Sequence, residues 1–185
     1  VAEMADTIAV MRDGKVVEYG SSDDIYHRPT HSYTRRLLKA SHALVKDIPT
    51  EGSNGAAPTP AAAKAMTAEP EPPPILEVED LVKVFGSRGR RLFRKDSPGV
   101  VAVNRVSFSI KPGEIFGLVG ESGSGKTTVG RCVTRAIAPT SGLIRYRGAD
   151  GAAIDVSTLN DRQLRPIRQE IRLILQDPFT SLNPR

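Results

Sequence analysis

The stretch Gly120-Glu121-Ser122-Gly123-Ser124-Gly125-Lys126-Thr127 decides the fold, because it matches the phosphate-binding loop pattern G-x-x-x-x-G-K-[ST] at every fixed position. Its glycines let the backbone turn its N–H groups inward around an anion. In such a loop the lysine, here Lys126, reaches the β- and γ-phosphates of a nucleoside triphosphate, and the hydroxyl of Thr127 ligates Mg²⁺. A glycine- and serine-rich turn without function is the alternative interpretation, and the flanking sequence argues against it.

The flanks supply the two elements that a phosphate-binding loop joins. The apolar run 114–119 (EIFGLV) predicts a buried parallel strand. Residues 127–137 have helical composition, with apolar residues at helical spacing and no helix breaker before Pro139. Strand, glycine loop and helix therefore follow in the required order, and a bound phosphate would lie at the positive end of the helix dipole.

A second candidate site lies further along the chain. Residues 171–175 (IRLIL) predict another core strand, which is followed by polar Gln176 and Asp177 and then by Pro178. Ligands of α/β sheets bind beyond the carboxyl ends of the strands, so we expect Gln176 on the same rim as the phosphate-binding loop. A neutral amide there ligates Mg²⁺ or orients a water molecule. An ordinary surface glutamine is the alternative.

Together these motifs resemble the nucleotide-binding domain of ABC transporters. Residues 120–128 look like its Walker A motif, and Gln176 stands at the position of its Q-loop glutamine. The phrase 175–185 (LQDPFTSLNPR) resembles the oligopeptide, dipeptide and glutathione importer branch, and the basic segment 87–99 fits an insertion of that branch. Phe85 occupies the A-loop position that stacks on adenine, although a core aromatic of an antiparallel strand is the alternative for this residue.

The resemblance implies a fold and a set of site residues. The fold is an α/β P-loop NTPase with an antiparallel β subdomain. ATP and Mg²⁺ are the implied cofactors; Lys126 and Gln176 are the catalytic candidates, and Thr127 and Gln176 are the metal ligands. The implied nucleotide contacts are Phe85, Gly120, Glu121, Ser122, Gly123, Ser124, Gly125, Lys126, Thr127 and Thr128.

The amino-terminal part resembles the end of another such domain. Residues 7–11 and 15–19 predict two strands, and Asp13-Gly14 between them is a strong hairpin signal. The pattern 21–24 (SSDD) predicts a helix start, and residues 31–40 predict a second helix. The run 28–38 (RPTHSYTRRLL) looks like the tail of the importer branch, with Ser32 in place of its usual proline.

The sequence thus predicts three segments. Residues 1–48 would end a first nucleotide-binding domain, and residues 75–185 would begin a second one. Residues 49–74 hold seven of the 14 prolines and much alanine, which predicts a disordered linker. The signature motif, the Walker B strand and the switch histidine of the family would all follow Gln176. We therefore expect a fragment of a tandem ATPase that binds ATP but does not hydrolyse it alone.

The resemblance also implies a setting for the complete protein. It would be the energy-coupling subunit of an importer, at the cytoplasmic face of the bacterial inner membrane. Its partners would be transmembrane permease subunits, a second nucleotide-binding domain and, indirectly, a solute-binding protein. Peptides are the solutes that the branch implies, with nickel, glutathione and opines as open alternatives. A ribosome-associated tandem ATPase and an inactive nucleotide-binding fragment are the other functional hypotheses.

Composition adds three expectations. The net charge of +5 invites a nucleic-acid interpretation, but the basic clusters lack the series of interleaved aromatic residues that a stacking platform needs, so we expect no nucleic-acid partner. The single cysteine, Cys132, is expected to be a small core residue of the loop helix. Residues 158–169 predict a surface helix that is interrupted near Pro166.

Overall fold

The computed structural model describes residues 4–45, 72–86, 99–148 and 150–174, which form two β-sheets with four helices. Most of the predicted linker, residues 87–98 of the basic insertion, and Gln176 lie outside these ranges. The sheets are a three-stranded one, in the order β2-β1-β5, and a four-stranded one, in the order β4-β3-β6-β7. The first sheet carries the phosphate-binding loop.

The three-stranded sheet begins with the predicted hairpin. Strands β1 (Thr7–Arg12) and β2 (Lys15–Ser21) pair antiparallel, and the turn residues Asp13 and Gly14 have φ angles of 49° and 77°. Positive φ at both turn residues is what the Asp-Gly pair favours, because its twist matches that of the flanking strands. The hairpin prediction is therefore confirmed.

The third strand of this sheet comes from a distant part of the sequence. Strand β5 (Phe116–Val119) pairs parallel with β1, from Thr7 opposite Phe116 to Val10 opposite Val119. This confirms the strand predicted before the loop. It also places the two segments that the resemblance assigns to successive domains in one sheet; their assignment to two domains stays a prediction.

Two helices follow the hairpin, as predicted. Helix α1 (Ser22–His27) begins at the N-cap Ser21, whose hydroxyl accepts a hydrogen bond from the Asp24 N–H at 3.1 Å. Helix α2 (Ser32–Val45) is longer than the predicted span 31–40. Both helices help to cover a small apolar cluster that includes Ile8, Val10, Ile25 and Tyr33.

The four-stranded sheet is antiparallel throughout, which confirms the predicted β subdomain. Its long strands β3 (Leu76–Phe85) and β4 (Val100–Ile110) pair with each other, and β3 also pairs with β6 (Ser141–Arg147). The short strand β7 (Ala153–Asp155) completes the edge.

Helix α3 (Lys126–Val133) follows the loop but ends before the predicted Ile137. The Thr134 hydroxyl donates to the Gly130 carbonyl oxygen at 2.9 Å, and Arg135 adopts a φ of 52°. The Arg135 guanidinium donates to the carbonyl oxygens of Val156 and Leu159, both at 2.8 Å. These long-range bonds hold the chain in the turn that ends the helix.

Helix α4 (Asp161–Glu170) corrects the prediction of an interruption at Pro166. The helix is continuous through the proline, and it starts with a capping box in which Asn160 and Gln163 bond each other's backbone N–H groups. Its apolar residues Leu164 and Ile167 are buried against the main core. Capping and burial together offset the hydrogen bond that a proline removes.

The main core joins the two sheets. Met11 of the hairpin packs in the same cluster as Val103 and Val106 of β4 and as Val129 and Cys132 of α3. All five side chains are buried, with at most 1% of their surface exposed. The hairpin and the loop-bearing segment therefore share one hydrophobic core.

The core strand predicted at 171–175 is wrong over its described residues. Residues 171–174 have no regular secondary structure, and Ile174 is 92% exposed. A buried strand needs hydrogen-bonded neighbours, and residues 171–174 pair with no strand of the described segments. Among the described residues, no helix combines the length and apolar character needed to cross a bilayer.

Candidate functional site

The glycine loop connects β5 to α3 in a conformation that glycine makes possible. Gly120, Gly123 and Gly125 have φ angles of 151°, 83° and 106°, which L side chains rarely adopt. The loop backbone directly before α3 therefore adopts conformations that glycine supplies.

Two of these glycines also lie too close to neighbouring backbone for any side chain. A Cβ on Gly125 would lie 2.5 Å from the Ala102 carbonyl oxygen, and a Cβ on Gly120 would overlap the carbonyl oxygen of Met11. A Cβ on Gly123, in contrast, would meet no atom within 4 Å. The loop is thus packed against β1 and β4 at both ends, with open space at its middle.

Lys126, near the carboxyl end of the loop, bonds back to residues nearer the loop's beginning. Its ammonium donates to the carbonyl oxygens of Gly120 at 2.8 Å and Glu121 at 2.7 Å, and to the Ser124 hydroxyl at 3.2 Å. Ser124 is only 5% exposed. The lysine charge is therefore held within the curve of the loop, where an anion would meet it.

The first turn of α3 is chemically suited to an anion. Its N-cap is Gly125, no side chain caps the helix, and the first turn contains no acidic residue. The first N–H groups of a helix have no intrahelical acceptor, and the helix dipole favours negative charge there. With Lys126 beside these amides, the residues fit a phosphate group.

Thr127 and Thr128 follow in the same turn. Thr127 is exposed and Thr128 is half-buried. The Thr127 hydroxyl is therefore accessible at the start of the helix, where the motif predicts a magnesium ligand.

Residues of the amino-terminal segment form one wall of the loop, and sequence reasoning missed them. The Gly14 N–H donates to the Ser124 carbonyl oxygen at 3.1 Å, and the Tyr33 hydroxyl accepts a hydrogen bond from the Glu121 N–H at 3.1 Å. Tyr33 and Glu121 are 88 positions apart. No motif in the sequence marks such a contact, because it depends on how the hairpin packs against β5.

The other predicted site residues lie apart from the loop or outside the described residues. Phe85 ends β3 and is 44% exposed, and the Lys83 ammonium lies 5.1 Å from its ring centroid. Its ring is therefore on the surface rather than in the core, which removes the alternative interpretation. Gln176 lies outside the described residues.

Cys132 lies on the buried face of α3, as expected for a core residue. Its side chain is fully buried, and this burial raises the pKa of the thiol above its ordinary value. A thiol in this environment is protonated at neutral pH and therefore a poor nucleophile. Cys132 contributes packing to the helix that carries the loop.

Comparison with known proteins gives a family match and several relatives. The family model described as "ABC transporter" matches residues 103–185. The glutathione import ATP-binding protein GsiA of Salmonella choleraesuis (strain SC-B67) is 39% identical over 193 residues, and GsiA of Escherichia coli O6:H1 is 38% identical over 195 residues. Each alignment covers 100% of this chain, and the chain spans 30% of the length of each relative.

Two solved structures are also similar. One is a dimeric ATP-binding cassette in a post-hydrolysis state with ADP and Pi, with 24% identity and a TM-score of 0.40. The other is a dimeric bacterial ABC transporter cassette, with 26% identity and the same TM-score. Both cover 51% of this chain and 35% of the other chain. Residues 103–185, which match this family model, contain the whole glycine loop and helix α3, and the two import ATP-binding relatives align with the chain from end to end.

Proposed function

We propose that this chain is part of the ATP-binding, energy-coupling subunit of an ABC importer for peptides or similar small solutes. The observation that carries the proposal is the loop itself. It is a full P-loop motif in which the Lys126 ammonium, the curled backbone and the uncapped start of α3 converge. That arrangement suits the phosphates of a nucleotide better than any other class of ligand.

The proposed roles combine the positions of the described side chains with the roles that the family resemblance implies. Lys126 would neutralise charge on the β- and γ-phosphates, and the amides at the start of α3 would bind phosphate oxygens. Thr128 would contact the α-phosphate, and the accessible Thr127 hydroxyl would hold Mg²⁺ together with Gln176. When bound, Mg²⁺ supplies charge that stabilises the transferring phosphoryl group. The exposed Phe85 ring at the end of β3 would stack on adenine.

The partners and location are part of the same proposal. Two nucleotide-binding domains would sandwich two ATP molecules, so hydrolysis would need a second domain as well as the motifs that the family carries after Gln176. We therefore propose that the chain binds ATP and that hydrolysis takes place between two such domains. In the complete importer it would contact permease subunits at the cytoplasmic face of the inner membrane and, through them, a solute-binding protein.

The relatives support the importer over the ribosome-associated alternative. Several are named as glutathione import ATP-binding proteins, and they align with the whole of this chain. Glutathione is a peptide-like solute, which agrees with the importer branch that the sequence resembles.

Competition binding tests the proposed nucleotide site. A fluorescent ATP analogue is bound to the chain in the presence of Mg²⁺ and displaced with ATP, ADP, inorganic triphosphate or adenosine. We expect ATP and triphosphate to displace the analogue, and adenosine to do so at least tenfold less well, because the loop recognises phosphates. Displacement by adenosine at the same concentration as by ATP would contradict the proposal.

A further inference from the structure

Tyr33 makes an unusual contact for a residue far from the loop in sequence. Its side chain is 2% exposed, and its hydroxyl accepts the hydrogen bond of the Glu121 N–H at 3.1 Å. Glu121 is the second residue of the P-loop. Glu121 itself is exposed, but this part-buried hydrogen bond to a buried tyrosine constrains the position of the Glu121 peptide group.

Neighbouring residues contact both the ring and the backbone of Tyr33. The guanidinium of Arg12 lies 5.1 Å from the ring centroid, and the Tyr33 N–H donates to Nδ1 of His31 at 3.2 Å. The preceding turn is fixed by Glu18 of β2, whose carboxylate accepts hydrogen bonds from the Thr30 and His31 N–H groups at 2.6 and 3.2 Å. The hydroxyl therefore reaches Glu121 from a constrained position.

Glu121 links Tyr33 to the functional lysine. The N–H of Glu121 donates to the tyrosine, while the carbonyl oxygen of Glu121 accepts a hydrogen bond from the Lys126 ammonium at 2.7 Å. A shift of this residue would move one of the three acceptors that orient the ammonium. We propose that Tyr33 is a positioning residue of the nucleotide site, which sets the P-loop in place through Glu121. This inference rests on the proposed nucleotide-binding function.

The variant Tyr33→Phe removes one oxygen atom and keeps the ring beneath Arg12. We expect amide exchange at Glu121, measured by NMR on the full chain, to become at least fivefold faster. We expect the dissociation constant for Mg-ATP to rise about three- to tenfold, the usual effect of one lost hydrogen bond. The control is Tyr26→Phe, a tyrosine packed against the same apolar cluster, which should change neither quantity.

The two measurements separate this inference from the proposed function. If the parent chain binds Mg-ATP and Tyr33→Phe leaves both its affinity and Glu121 exchange unchanged, the positioning role is overturned while nucleotide binding stands. If the parent chain does not bind Mg-ATP, the proposed function fails and the positioning role with it, even where Glu121 exchange becomes faster. If Tyr33→Phe unfolds where Tyr26→Phe stays folded, the tyrosine is structural and the inference is also overturned.

Discussion

At the residue scale, the loop glycines Gly120, Gly123 and Gly125 differ in the physical reason for which glycine is needed. Gly120 and Gly125 combine a positive φ with neighbouring carbonyl oxygens that leave no room for a Cβ. Gly123 has only the positive φ, with open space around it. The three positions should therefore differ in how much an alanine costs.

Alanine substitutions test this difference. We expect Gly123→Ala to lower the free energy of unfolding by about 1–2 kcal/mol, the cost of a left-handed conformation for an L residue. Gly125→Ala should cost more, because its Cβ also forces the Ala102 carbonyl oxygen to move. Urea unfolding of both variants measures the order. Equal losses would show that the loop relaxes without displacing β4.

Lys126→Ala tests the charge at the centre of the loop. Hydrogen bonds to a charged group contribute more than neutral ones, so we expect the affinity for Mg-ATP to fall roughly 10- to 100-fold. Titration with a fluorescent ATP analogue measures the loss. The matched control is Lys39→Ala, which removes an exposed lysine from α2. Unchanged affinity in Lys126→Ala would contradict the assignment of the loop as a nucleotide site.

Sequence reasoning reached the loop because the chemistry of a phosphate nest is local. The three glycines, Lys126 and Thr127 all lie between positions 120 and 127, so their pattern can be recognised in the sequence before the fold is known. The contacts of Tyr33 with Glu121 and of Gly14 with Ser124 were not predicted, since they arise only when the hairpin packs beside β5. Contacts between residues far apart in the sequence leave no local pattern by which they could be recognised.

At the scale of elements, turn and capping motifs correctly predicted those elements that are stabilised by residues close in the sequence. The Asp13-Gly14 turn and the Ser21 cap produced the hairpin and helix that they predict. The end of α3 and the continuity of α4 were not predictable in the same way. Arg135 ends α3 through bonds to residues more than 20 positions away, and tertiary burial keeps α4 intact at Pro166.

Glu18 shows how one side chain fixes the start of an element. Its burial acts to raise the pKa, but the nearby hydroxyls of Thr34 and Thr30 and the N–H groups of Thr30 and His31 outweigh this and leave the pKa below its ordinary value of 4.5. A lowered folded-state pKa stabilises the protein above the ordinary pKa. That stabilisation is lost as the pH falls through the lower, folded-state pKa.

Glu18→Gln tests this link. We expect the variant to lose about 0.5–1 kcal/mol of unfolding free energy near neutral pH, and to show a shallower loss of stability as the pH falls below 4.5. Urea unfolding across that pH range measures both effects. Glu79→Gln, at an exposed residue of the other sheet, is the control. The same acid dependence in Glu18→Gln and the parent chain would contradict the role of Glu18.

At the scale of the whole molecule, one hydrophobic core contains residues of two segments that are far apart in the sequence. Resemblance predicts that residues 1–48 and 75–185 belong to successive domains. In the structure β1 pairs with β5, and Met11 packs with Val103, Val129 and Cys132. The pairing could not be predicted from sequence, because β5 is short and apolar, so many strands would fit its edge equally well.

Met11→Ala tests whether this shared core makes one cooperative unit. Loss of a fully buried methionine should lower the unfolding free energy by about 2–5 kcal/mol. We expect the amides of β1 and of the loop helix α3 to lose protection together in hydrogen exchange. The control Met4→Ala removes an exposed methionine and should change neither. Weaker protection in β1 alone would show two independent units.

Strands β1 and β5 pair although the contact between Asp6 and Ile115 spans 109 positions, so the predicted linker 49–74 is expected to act as a covalent tether between them. The tether sets the effective concentration at which the hairpin meets β5. Its entropic cost grows only logarithmically, so doubling the closed loop would cost about 0.6 kcal/mol. Insertions there should therefore be tolerated, whereas a single proteolytic cut would turn folding into an association of two chains. After such a cut, the fraction of molecules in which Gly14 and Tyr33 contact the phosphate-binding loop would depend on protein concentration.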